Sequence, residues 1–179
     1  MFNYLFVILI VAAIFIYFYS KKYSIKIRNQ SGYLHSLPQY YGFYASLWFL
    51  IPSLIIITLY LIFAESFVVS TLINSLPSDI KNLPANELNL VLNDIKNLAV
   101  GNIANSSSFT GINEAANFYN KQYQLIDKVV FYSSLIIGLL TFTYAYKTIS
   151  SSYRARNFIE SAIHILLFGS AVIAIFVTA

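Results

Sequence analysis

The chain contains no cysteine and a single methionine, and only 10% of its residues are charged. Without cysteine there is no disulfide framework and no thiolate metal site. With so few charges a water-soluble fold could not cover its surface, since globular chains carry roughly 25% charged residues. The two histidines, His35 and His164, lie in different segments, and no carboxylate stands at ligand spacing from His35. A Gly-rich phosphate loop, a nucleophile elbow and paired carboxylates in a pocket are missing as well. A soluble enzyme is thereby excluded as a reading.

Apolar residues, in contrast, make up 58% of the 179 positions and fall in blocks. Phe2–Tyr19 is 18 residues with Asn3 as its one polar member, Phe43–Ala64 is 22 uncharged residues, Val129–Tyr146 is 18, and Phe158–Ala179 is 22 with Glu160 alone charged. At ~1.5 Å per residue such helices reach roughly 27 to 33 Å, which matches a hydrocarbon core about 30 Å thick. The expectation is an all-α integral membrane protein with about four transmembrane helices over 2–19, 43–64, 129–146 and 158–179. The first block has no basic residue before it and no small-residue cleavage site after Tyr19, so it reads as an uncleaved span.

Charge sets the orientation. Lys21, Lys22, Lys26 and Arg28 follow the first block, and Lys147, Arg154 and Arg156 follow the third, whereas Glu65–Lys128 holds six acids against four lysines. Positive-inside bias then places both basic loops in the cytoplasm, and the N-terminus and residues 65–128 outside. Seven basic residues beside membrane spans are what topology requires, so the net charge of +4 implies no nucleic-acid partner. Attraction to anionic membrane lipid is the secondary role it supports.

The 64-residue middle segment is long enough to hold structure of its own. Leu88, Val91, Leu92, Ile95, Leu98 and Ala99 recur at helical spacing between Pro84 and Gly101, which predicts an amphipathic helix over 86–101 lying on protein or on the membrane surface. Residues 102–113, rich in Asn, Ser and Gly, read as an exposed loop with Asn113 as a cap. A further helix over 114–127 meets no breaker and is expected to run straight into the third span.

Glu160 and His164 stand at i, i+4 and share a helical face, which suits a metal or a proton site. Two ligands alone make an incomplete site. The favoured reading is that Asn157 and Glu160 form a capping box at a helix start. Tyr40, Tyr41 and Tyr44, with Trp48 a turn deeper, suit an interfacial aromatic belt. Pro52 should bend or locally open the second span, because it has no N–H to donate.

Two stretches add a resemblance. Leu34, His35, Ser36, Leu37, Pro38, Tyr40, Tyr41, Gly42, Tyr44, Leu47, Trp48 and Pro52 stand in the order and spacing LHSLPxYYGxYxxLWxxxP, and Arg154, Arg156, Asn157 and Glu160 in the order RxRNxxE. The first resembles a segment in the N-terminal extension of the PstC-type permease subunit of bacterial phosphate ABC importers. The second is similar to the lead-in to that family's first core permease helix. The resemblance implies a division into residues 1–150, an extension with three spans and the outer segment 65–128, and 151–179, the first helix of a permease core. It further implies a multi-pass place in the bacterial inner membrane and a part in phosphate import, with a second permease subunit, a cytoplasmic ATPase that hydrolyses ATP, and a periplasmic phosphate-binding protein as partners. No cofactor, metal or catalytic residue is implied, and no phosphate-contacting residue carries over. Family members continue beyond the position of Ala179 into further core helices, so a chain cut short within its fourth helix is expected. The competing reading is a stand-alone membrane scaffold whose amphipathic 86–101 helix binds a periplasmic partner. A small pore-forming protein fits the size and the charge but leaves the 34–52 signature unaccounted for.

Overall fold

The computed structural model describes residues 4–102 and 111–178. It is built of helices: α1 (Leu5–Ser31), α2 (Pro38–Ser75), the single turn α3 (Ser78–Lys81), α4 (Ala85–Ala99), α5 (Ile112–Thr148) and α6 (Ala155–Thr178), with no strand among the described residues. α1, α2 and α5 are each long and apolar enough to cross a membrane. The 24-residue α6 covers the fourth expected segment. The fold is thus the expected all-α membrane type.

Two helix ends differ from expectation. α1 does not stop with its apolar block but continues through the basic cluster to Ser31, because lysine and isoleucine are compatible with helix and the first break comes at Gly32. There φ is +74°, a left-handed conformation that glycine adopts without strain, and the Gly32 N–H closes on the Arg28 carbonyl at 2.9 Å. α2 passes Ala64 and runs on to Ser75. As expected, the helix over 114–127 meets no breaker and runs straight into the third span, the two forming the one helix α5. Most of the expected 102–113 loop lies outside the described residues, and Asn113 is inside α5 rather than capping it.

The described residues divide into two compact units, one built from residues 55–102 and 111–132 and the other from residues 4–54 and 133–178. In the first unit, α4 presents Val91, Leu92 and Ile95 to Val68 and Leu72 of α2, to Leu76 just past its end, and to Ala115, Ala116 and Tyr119 of α5. Burying each such aliphatic side chain stabilises by ~1.5–3 kcal/mol relative to leaving it in water. The amphipathic stripe is therefore covered by its own unit. α4 ends in a Schellman arrangement, with Gly101 at φ +88°, its N–H on Leu98 and the Asn102 N–H on Asn97 at 2.9 Å. Lys96 pairs with Glu65 at 2.6 Å, Asn120 Nδ2 donates to the Ala99 carbonyl at 2.9 Å, and the Tyr60 hydroxyl donates to Asp127 at 2.6 Å.

The second unit holds α1, the first part of α2, the last part of α5, and α6. Without a strong hydrophobic drive in lipid, helices associate through close packing of small residues and through interhelical hydrogen bonds. Both devices are present. Gly42 of α2 lies against Tyr17 of α1, and one turn deeper the Ser46 hydroxyl donates to the Ala13 carbonyl at 2.9 Å. Gly138 of α5 lies against Phe49 and Ser53 of α2, and the buried Ser53 hydroxyl is 2.9 Å from the carbonyls of both Phe49 and Ser134.

The same crossing compensates Pro52. α2 continues through it, although Pro52 has no N–H for the Trp48 carbonyl one turn back. That carbonyl instead accepts from the Thr141 hydroxyl of α5 at 2.6 Å. Thr141→Val is expected to cost about 1–3 kcal/mol, because it leaves a carbonyl unmet in apolar surroundings. Adding Pro52→Ala restores an N–H at that position and should recover about 1 kcal/mol of the loss. Thermal unfolding of the four chains of this cycle measures it. Strictly additive losses would show that the two residues do not share the Trp48 carbonyl.

Candidate functional site

The two stretches that carry the resemblance are separated by about a hundred positions, yet they close on each other in the second unit. Between α1 and α2, the His35 N–H donates to the Ser151 carbonyl at 2.9 Å. One residue on, the buried Ser36 hydroxyl accepts from the Arg156 N–H at 3.2 Å. The first N–H groups of a helix have no partner within it, so Ser36 acts as a cap for α6 supplied from another loop. Pro38 then opens α2 at its first position, where a missing N–H costs nothing.

From α2, two tyrosines reach back across the joint. Tyr41, fully buried, donates to the Tyr153 carbonyl at 2.7 Å, and the Tyr44 hydroxyl lies 2.9 Å from Thr148 Oγ1. The Tyr44 ring meets Tyr153 at 4.8 Å and the edge of Phe158 at 4.9 Å, while Trp48 stacks on Phe158 at 6.0 Å. Ala145, Ile149, Ala155 and Ile159 complete the buried cluster, with Leu34, Tyr40 and Leu47 packed around it. Burial, then the neighbouring Tyr44 hydroxyl, pushes the Tyr153 hydroxyl up from its ordinary pKa, so it remains a neutral hydrogen-bonding group.

Two sequence expectations are corrected here. Tyr41 and Tyr44 do not form a belt facing the head groups; they are 0% and 2% exposed and point into the joint. Asn157 does not start a capping box, because α6 begins at Ala155 and places Asn157 inside its first turn. Glu160 instead pairs with Arg156 at 2.6 Å on an exposed face, where such pairs contribute little to stability, and its hydrogen bond and charge hold the Arg156 guanidinium above its ordinary pKa.

Other signature side chains stay outside the joint: His35, Leu37, Arg154 and Asn157 are exposed. Reading the sequence missed Ser151, Tyr153 and Thr148, which have no local pattern because each acts across a helix boundary. It also missed Gly138 and Thr141; the small residues Ser134 and Gly138, four apart, were the available signal. Among the described residues no group of three or more His, Cys, Asp or Glu side chains could hold a metal. The joint contains hydroxyls, carbonyls and rings, and its chemistry is that of a clamp on the start of α6.

Beyond that clamp α6 is largely uncovered. Ile165, Leu166 and Phe168 are 71%, 63% and 73% exposed. The hydrogen bonds between 35–36 and 151–156 also bring the two basic clusters, at the end of α1 and around the α5–α6 connection, to one end of this unit.

A family model described as phosphate ATP-binding cassette transporter matches residues 5–177 of the chain. No curated protein and no solved structure matches it.

Proposed function

Because the chain belongs to the phosphate ATP-binding cassette transporter family, we propose that it is a membrane permease subunit of the PstC type, serving an ATP-driven phosphate importer. Residues 1–150 are the extension and residues 151–179 the first helix of the permease core. The observation that carries this reading is α6, gripped at its base by the signature residues and exposed along its length. An apolar helix held at one end and bare elsewhere is a helix offered to other membrane helices. Its partners are then a second permease subunit and, through the assembled transporter, a separate ATPase and a phosphate-binding protein. ATP hydrolysis belongs to that ATPase.

The gathering of Lys21, Lys22, Lys26, Arg28, Lys147, Arg154 and Arg156 around the α1–α2 and α5–α6 connections at one end supports an orientation with that end in the cytoplasm and the N-terminus outside the inner membrane. The scaffold reading loses its motive, since the α4 stripe is buried against α2 and α5.

A photo-crosslinking side chain at Phe168, tested in native membranes, is expected to capture permease helices. An unrelated protein as the dominant product would favour the scaffold. Since the chain has no cysteine, a single Leu37→Cys at an exposed loop position also tests orientation. It should react with an impermeant maleimide only after the cytoplasmic side is opened.

A further inference from the structure

The second unit carries seven of the chain's basic residues and one acidic side chain, Glu160, which is already engaged by Arg156 at 2.6 Å. Its lysines therefore lack an internal counter-ion. Two of them share a cleft. Tyr19, Lys22, Tyr23 and Lys26 stand at i, i+3, i+4 and i+7 on one face of α1, and together with Tyr146 of α5 they line a cleft of about 390 Å³. Tyr146 forms its aromatic wall, with ring centroids 5.4 Å from Tyr19 and 4.5 Å from Tyr23. Neither lysine has an acidic partner among the described residues.

Depth along α1 narrows the ligand. The first apolar block ends at Tyr19, so Lys22 and Lys26 stand roughly 5 and 10 Å beyond the hydrocarbon edge, at head-group depth. Below the cleft the same face of α1 continues as exposed apolar surface through Phe15, 72% exposed, and Ile8, 39% exposed. A site with cationic and phenolic donors above and a bare apolar column below matches an amphiphile with an anionic head, and a soluble anion would leave the column unused.

We propose that the Tyr19/Lys22/Tyr23/Lys26/Tyr146 cleft is a binding site for the phosphate head group of an anionic glycerophospholipid, with its acyl chain lying along the Phe15–Ile8 face of α1. Lys22 and Lys26 supply the charge, the tyrosine hydroxyls supply neutral hydrogen bonds, and the site fixes one lipid at the boundary of α1 and α5. It stands independently of the transport role.

The test uses the purified full chain in mild detergent, with native mass spectrometry counting bound dioleoylphosphatidylglycerol against dioleoylphosphatidylcholine. Wild type should retain the anionic lipid preferentially. Lys22→Gln with Lys26→Gln should lose roughly tenfold or more of that retention, given the attraction each lysine contributes near a lipid surface. Lys22→Arg with Lys26→Arg should keep it. Lys21→Gln with Arg28→Gln removes the same charge from the same stretch of α1 without touching the cleft, Lys21 lying instead over the Tyr17 ring at 5.9 Å, and should also keep it. Equal losses in the two glutamine pairs would overturn the site in favour of diffuse attraction. Loss in the arginine pair, equal retention of both lipids by wild type, or full displacement of phosphatidylglycerol by soluble glycerol 3-phosphate would each overturn it too.

Discussion

Gly42→Ala should destabilise the chain by about 3 kcal/mol, the upper end of what overpacking costs. A methyl group at that position would meet Tyr17 Cδ2 at 2.6 Å and Cε2 at 2.8 Å, and, less forgivingly, the Tyr17 carbonyl oxygen at 2.9 Å. A ring can swing aside, but a helix carbonyl cannot move without its helix. α1 and α2 must then separate, which also stretches the Ser46 bond to Ala13 one turn deeper. Gly169→Ala is the control: nothing lies within 4 Å of its added carbon, and alanine favours helix over glycine by about 1 kcal/mol. Thermal unfolding in one detergent should show a large loss for the first and none for the second. If Gly42→Ala unfolds with wild type, the two helices do not approach as described.

Tyr44→Ala should have a comparable or larger effect, about 3–5 kcal/mol by analogy with truncation of other buried aromatic rings. Its ring fills the space between Tyr153, Phe158 and Trp48, and its hydroxyl is shared with Thr148. In lipid the loss comes less from exposure to water than from forfeited contacts and an empty volume. The consequence specific to this site is that α6 loses its clamp. Arg154 and Arg156, at the start of α6, should become readily cut by trypsin, while Tyr44→Phe, which loses only one hydroxyl contact worth about 1 kcal/mol, should remain protected. Equal cleavage of wild type and Tyr44→Ala would show that the joint does not hold α6. The outcome bears on transport through assembly, since a helix with a loose base is poorly placed to dock on others.

Much of the fold was legible because hydropathy acts locally. Four apolar blocks were enough to place α1, α2, α5 and α6, and helical spacing together with Pro84 and Gly101 placed α4 to within a residue or two. The ends were less legible. An apolar block marks where lipid stops, whereas a helix stops where a breaker appears, which is why α1 carries its lysines on to Gly32 and α2 outlasts Ala64. α3 was not foreseen, being a single turn whose few residues give no period to read.

The candidate site was legible as a pattern and illegible as an arrangement. The order of residues in 34–52 and 154–160 pointed to the family that the match over 5–177 assigns. What each residue does could not be read from its neighbours. Tyr41 and Tyr44 sit where interfacial rings belong, and only the return of the 149–153 loop turns them inward. Asn157 and Glu160 have capping-box spacing, and only Ser36, arriving from another loop, lets α6 start earlier and leaves them in its first turns.

The sequence by itself determined that this is a helical membrane protein with two basic clusters and a covered-or-covering amphipathic helix, because burial in lipid demands long uncharged runs and an apolar stripe demands contact. The tertiary structure alone decided that α4 is covered by α2 and α5, that Thr141 answers the missing hydrogen bond of Pro52, and that both signature stretches form one clamp on α6. The physical reason is range: hydropathy and helix propensity are sums over neighbouring residues, while a hydroxyl meeting a distant carbonyl, or a glycine admitting a facing ring, depends on which helices lie side by side.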